Sequence, residues 1–100
     1  MAGFVQIIEF ETSRIDEVRA LAAEFRDEQD GARNGMVVRG TFGSDRDRPG
    51  HHVNIVEFES YEKAMENSNR PETSKFAARL AELCDSPPKF TNLDVEERWE

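Results

Sequence analysis

An α+β domain with strands and helices in the order βαββαβ is what this sequence predicts, on three observations. The segment Val5-Gln6-Ile7-Ile8-Glu9-Phe10-Glu11-Thr12 returns 48 residues later as Val53-Asn54-Ile55-Val56-Glu57-Phe58-Glu59-Ser60, with five of the eight pairs identical and three conservative. Each copy runs into a segment whose apolar residues recur at helical spacing. Each helical segment is followed by another strand-like run. The chain therefore reads as two βαβ-like halves related by internal pseudo-symmetry, the split βαβ pattern.

Both copies of the motif are rich in β-branched residues and bounded by polar ones, as strands are. After the first, Ile15, Val18, Ala22 and Phe25 recur at intervals of three and four, one face of a helix. Ser13 with Asp16 predicts a capping box at its start, Asp16 standing in for the usual Glu. Asp30-Gly31 predicts its end. Gly35 to Phe42 reads as the second strand, and Gly43 to Gly50 (GSDRDRPG) as a polar hairpin loop. After the second copy, Ser60 is placed to cap a helix opening at Tyr61, with Ala64 and Met65 on its apolar face. Asn67-Ser68-Asn69-Arg70-Pro71 interrupts that helix, and Pro71 suits the first turn of a restarted one. Phe76, Ala77, Leu80, Leu83 and Cys84 form the next apolar stripe, which Asp85-Ser86-Pro87-Pro88 ends. Lys89 to Glu97, with Thr91, Leu93 and Val95 alternating, is the last strand.

Right-handed crossovers put both helices on one face of a four-stranded antiparallel sheet, the ferredoxin-like arrangement. The repeated strands are expected at its centre, as a mutually parallel pair. Val5, Ile7, Val53 and Ile55 share one face; Phe4, Ile8, Phe10, Val56 and Phe58 share the other. Both faces are apolar, so both require burial. The helices cover one. A second copy of the chain is the expected cover for the other, giving a homodimer through the sheet face.

Composition narrows the function classes. At 100 residues the chain has room for a single domain, 1–100. Charged residues make up 34%, against a usual value of about 25%, and apolar residues only 37%. So lean a core suits completion by a partner subunit. The net charge is −8, and the longest basic feature, Arg46-Asp47-Arg48, is interrupted by an acid. Neither nucleic acid nor an anionic membrane is an expected partner. The lone cysteine, Cys84, cannot form an internal disulfide, which suits a reducing compartment. The N-terminal apolar run ends at Glu9 and lacks a basic flank, which fits neither a signal peptide nor a membrane span. The expectation is a cytoplasmic protein.

With this element order, and with VQIIEFET and VNIVEFES each leading into a helix and the second helix broken at NSNRPET, the chain resembles the dimeric α+β-barrel superfamily. Within it, the chain is most similar to the antibiotic-biosynthesis monooxygenase branch, from Phe4 to about Arg98. These motifs specify the fold; the superfamily holds oxygenases, isomerases, haem proteins and ligand sensors on it. The resemblance allows two activities to be tested by residue. Haem-degrading members use an Asn on the first strand and a Trp and a His on the second helix. Gln6, Asn67 and Phe76 stand at those positions, and the second helical region holds no histidine. Haem degradation is therefore not expected, and no cofactor is. The cofactor-free monooxygenases of the branch oxidise polycyclic phenols. They imply a pocket between sheet and helices where polar groups stabilise a deprotonated substrate that reacts with oxygen itself.

On that implication the pocket is expected to be lined by Gln6, Phe10, Asn54, Phe58, Tyr61, Met65 and Phe76. Gln6 and Asn54 hold matching positions in the two halves, and adjacent parallel strands would set their amides side by side. They then act either as a donor pair for a substrate oxyanion or as a structural pair bonded to each other, to water or to a helix. His51 and His52 are adjacent on a strand and point to opposite faces, so they cannot grip one metal together; no metal site is expected. His52 shares its face with Asn54 and is kept as a candidate base. Cys84 reads as an inert core thiol and Trp99 as an interface or tail anchor. Two functions remain open. One is a cofactor-independent oxygenase acting on an aromatic or polyketide-like substrate. The other is a non-catalytic dimer that binds a small aromatic ligand or modulates a partner. They divide on the space beneath the helices, because a cavity of roughly 300 Å³ or more with convergent polar groups suits an enzyme or a binder, and a packed interior suits neither.

Overall fold

The computed structural model describes residues 3–29 and 37–99. Its elements are β1 (Phe4–Glu11), α1 (Ile15–Gln29), β2 (Val37–Ser44), β3 (His51–Phe58), α2 (Tyr61–Ser68), α3 (Pro71–Leu83) and β4 (Lys89–Asp94). The strands form one antiparallel sheet in the order β2-β3-β1-β4. This is the ferredoxin-like α+β fold, with the second helical region divided into α2 and α3 where Asn67 to Pro71 breaks it. The expected end of the first helix at Asp30-Gly31, and the expected second-strand residues Gly35 and Met36, lie outside the described residues. The last strand stops at Asp94 rather than Glu97.

The repeated strands are central, as expected, but they run antiparallel, with Phe4 opposite Phe58 and Ile7 opposite Ile55. The expected parallel pairing is wrong for a reason of connectivity. The α1 crossover makes β2 parallel to β1 and leaves a gap between them. β3, hairpin-linked to β2, fills that gap and must run opposite to both.

The local chemistry explains most boundaries. Ser60 caps α2, its hydroxyl accepting from the Lys63 amide at 3.1 Å, and Pro71 opens α3. At α1 the side chain bonding the helix entry is Thr12 rather than Ser13. Thr12 is 2% exposed; its hydroxyl accepts from the Arg14 amide at 2.9 Å and donates to the Leu83 carbonyl at 2.6 Å. Its own amide donates to the Gly50 carbonyl at 3.0 Å, and the Asp85 amide donates to the Glu11 carbonyl at 2.8 Å. One residue thus ties the end of β1 to the start of α1, the hairpin loop and the end of α3. Gly50 reaches this junction with φ of 87°, a left-handed conformation that suits glycine.

The helix side of the sheet carries two separate apolar clusters. Ile8, Phe10, Val18, Leu21 and Leu80 are buried together, with Ile15, Phe76, Leu83 and Cys84 packed against them. Phe4, Phe58 and Ala64 form the second, with Val37, Val56 and Met65 around them. On the opposite face Ile55 is 39% exposed and Leu93 43%, so that face has no cover within the described chain.

Replacing Thr12 with Val keeps the shape but leaves the Leu83 carbonyl without its hydroxyl donor and the Arg14 amide without its acceptor. The expected cost is about 1–3 kcal/mol of unfolding free energy, read by urea denaturation, with Thr12→Ser retaining most of the stability.

Candidate functional site

A cavity of about 340 Å³ lies between the sheet and the helices. Ile8, Phe10, Asn54 and Phe42 line it from the sheet; Val18, Arg19, Ala22, Phe76 and Leu80 line it from α1 and α3. The register explains the sheet side: Ile8 stands opposite Asn54, and Phe42 is the cross-strand neighbour of Asn54 on β2. The three side chains therefore form a row across the sheet on the helix face. Phe42 is 41% exposed and Arg19 is exposed, which marks the open side of the cavity. The lining is apolar apart from Asn54 and Arg19, on opposite walls.

The pocket residues read from sequence divide into two groups. Phe10, Asn54 and Phe76 lie together on the cavity. Phe58 and Met65 belong to the second apolar cluster, and Tyr61, 53% exposed, meets the Phe4 ring edge-on with centroids 5.4 Å apart. Gln6 is not beside Asn54. In the antiparallel register it stands opposite Val56, one diagonal step from Asn54, and its amide donates to Asn92 Oδ1 on β4 at 3.1 Å. The side-by-side amide pair required parallel strands and is not formed.

The two histidines take opposite faces of β3, and both are buried. His51 lies on the open face, Nε2 3.4 Å from Glu9 and Nδ1 3.3 Å from Asp45 without the alignment of a hydrogen bond. Among the described residues no group of three or more His, Cys, Asp or Glu side chains is placed to hold a metal. His52 lies on the helix face, its Nδ1 2.9 Å from the Ser44 hydroxyl. Its ring stacks on Phe42 at 5.9 Å and tilts against Phe10 at 5.6 Å, so it backs two rings of the cavity wall. Burial first, then the positive charge of Arg19 and the neighbouring His51, press its pKa below the ordinary 6.5. Burial likewise pushes the Cys84 thiol up, as befits an unreactive core cysteine.

Arg19 and Phe42 were not singled out by sequence, although both left a trace there. Arg19 follows Ile15 by four residues and precedes Ala22 by three, so a cation interrupts the apolar stripe of α1. Phe42 is the large residue on a strand face otherwise made by Gly40 and Ser44.

No protein-family model matches this sequence, and no curated protein matches it. Solved structures do. SnoaB, a cofactor-independent oxygenase from Streptomyces nogalater, superposes with a TM-score of 0.80 at 17% identity, covering 98% of this chain and 97% of that one. A conserved protein from Methanosarcina mazei Go1 superposes at 0.83 with 9% identity, covering 96% and 95%. A candidate antibiotic biosynthesis monooxygenase from Bordetella bronchiseptica matches over 100% of both chains, at 0.76 with 14% identity. The fold is the one these structures share. The resemblance carried by the two repeated strands thus holds at the level of fold. No helix among the described residues is long and apolar enough to cross a membrane.

The depressed pKa of His52 has a consequence for stability. The unfolded chain binds more protons than the folded one between the folded pKa and about 6.5, so the contribution of neutral His52 is present above that value and is lost as pH falls through the window. Urea unfolding at pH of about 7.5 and about 5.5 is expected to show a larger loss on acidification for the wild type than for His52→Gln. Equal losses would assign the pH dependence to other groups.

Proposed function

We propose that this chain is a cofactor-independent monooxygenase of the antibiotic-biosynthesis type, acting on an aromatic, polyketide-like substrate held between the sheet and the helices. The observation that carries this reading is the cavity of about 340 Å³, large enough for a fused-ring molecule and walled by Phe10, Phe42 and Phe76. The shared fold with SnoaB, a cofactor-independent oxygenase, supports it.

The chemistry follows from the lining. A substrate with an acidic CH2 beside a phenol or ketone loses a proton to solvent water at the open side of the cavity, giving an oxyanion. The Asn54 amide N–H donates to that oxygen from the largely apolar wall of the cavity. The carbanion form passes electrons to dioxygen, a C–O bond forms, and the resulting hydroperoxide loses water to leave a carbonyl. One oxygen atom enters the product and the other leaves as water, so the substrate supplies all the reducing electrons. His52 acts here as a positioning residue, holding the Phe10 and Phe42 rings. Gln6, bonded to Asn92, takes a structural part.

A second copy of the chain covers the open sheet face, where Val5, Ile7, Val53, Ile55 and Leu93 lie together. The single Cys84 supports a reducing, cytoplasmic setting. One observation favours the alternative, a dimer that binds an aromatic ligand without turning it over. The polar side chains lining the cavity, Asn54 and Arg19, include no carboxylate, imidazole or thiol to accept the proton.

Oxygen uptake with an anthrone or hydroquinone substrate separates the two. Asn54→Ala is expected to lower the turnover rate by about 100-fold while the melting temperature stays near that of the wild type, and Gln6→Ala is expected to leave the rate unchanged. A ligand present at about a hundred times its dissociation constant adds about 2.7 kcal/mol, a shift of several degrees in melting temperature. Such a shift without oxygen uptake selects the non-catalytic binder. For the assembly, light scattering is expected to give the mass of two chains for the wild type and of one for Ile55→Arg.

A further inference from the structure

Arg19 is the cation on the wall of the cavity. Arg14, Arg48, Arg70, Arg79 and Arg98 each contact a carboxylate. Like Arg39 and Arg46, Arg19 makes no ion pair among the described residues, and of these three it alone lines the cavity. This occurs in a chain where acids outnumber Lys and Arg by 21 to 13, so carboxylates are plentiful elsewhere. Around Arg19 the cavity offers Val18, Ala22 and three phenyl rings instead. Arg19 is exposed at the rim of the cavity, and its charge helps hold the His52 pKa below its ordinary value. Asn54 lies on the sheet, across the cavity.

We propose that the ligand is a planar aromatic acid, its carboxylate paired with Arg19 and a phenolic or carbonyl oxygen at its other end bonded to Asn54. The inference rests on the reading of the cavity as the substrate site and deepens it by naming the substrate class. It makes Arg19 a specificity-determining residue. A guanidinium offers a planar fork that meets a carboxylate through two parallel N–H···O bonds, a geometry an ester cannot match in charge. With a net charge of −8, the long-range field of the chain repels anions. A preference for an acid over its ester therefore has to arise locally.

The test is calorimetric titration of the full chain with a hydroxynaphthoic acid, hydroxyl and carboxyl on opposite rings, and with its methyl ester. The acid is expected to bind at least about tenfold more tightly than the ester. Arg19→Gln is expected to remove that preference while leaving the ester affinity unchanged. Arg46→Gln, in the hairpin loop away from the cavity, is expected to retain it. Equal binding of acid and ester by the wild type, or a preference that survives Arg19→Gln, overturns the role of Arg19 and leaves the cavity reading in place. Binding of neither compound overturns both. The readout needs no oxygen uptake, so an absence of oxygenase activity does not bear on it.

Discussion

β1 and β3 lie antiparallel with Ile7 opposite Ile55, and this pairing assigns every side chain of both strands to a face. Ile7 and Ile55 are equivalent residues of the internal repeat, so the pseudo-twofold axis of the chain passes between them. Because side chains alternate along a strand, a slip of one residue would exchange the faces. A slipped β1 would turn Phe4, Ile8 and Phe10 away from the helices and Val5 and Ile7 toward them. Burial of those three large side chains beneath the helices, at about 1.5–3 kcal/mol each, holds the register against such a slip.

The same register creates the space for a ligand. It places Asn54 in a row with Ile8 and Phe42, at the edge of the first apolar cluster. One cluster is gathered by α1 and α3 around Ile8 and Phe10; the other is gathered by α2 around Phe4 and Phe58. The break between α2 and α3 permits this division, because each short helix packs on its own end of the sheet. The cavity opens beside the first of these clusters, whose Ile8, Phe10, Val18, Phe76 and Leu80 line it, and the polar side chains of Asn54 and Arg19 meet it there. Thr12 secures the arrangement from the far end, bonding the entry of α1 and the last turn of α3 to one point on β1.

Electrostatics distinguish the two faces of β3. His51, on the open side, lies between the carboxylates of Glu9 and Asp45. His52, one residue on, lies among Phe10, Phe42 and Ser44 with a guanidinium nearby, where the neutral ring is favoured. Neighbouring residues of identical chemistry thus have opposite environments, set only by the alternation of the strand.

The element order, the strand faces, the Ser60 cap and the break before Pro71 were all legible in the sequence, because each depends on residues at short spacing: period-two alternation, helical periodicity, a hydroxyl three residues from the amide it bonds. The end of the second strand, which runs on to Ser44 past the expected Phe42, and the entry of α1 were read less well. There, a threonine reaching Leu83 replaced the nearer serine, a choice that depends on a residue 71 positions away. The place of β3 between β1 and β2, the separation of Gln6 from Asn54, and the presence of Arg19 and Phe42 at one cavity were decided only in three dimensions. Strand pairing and helix docking bring together residues distant in the chain, and no local pattern records which amide will face a cavity and which will be bonded by the next strand.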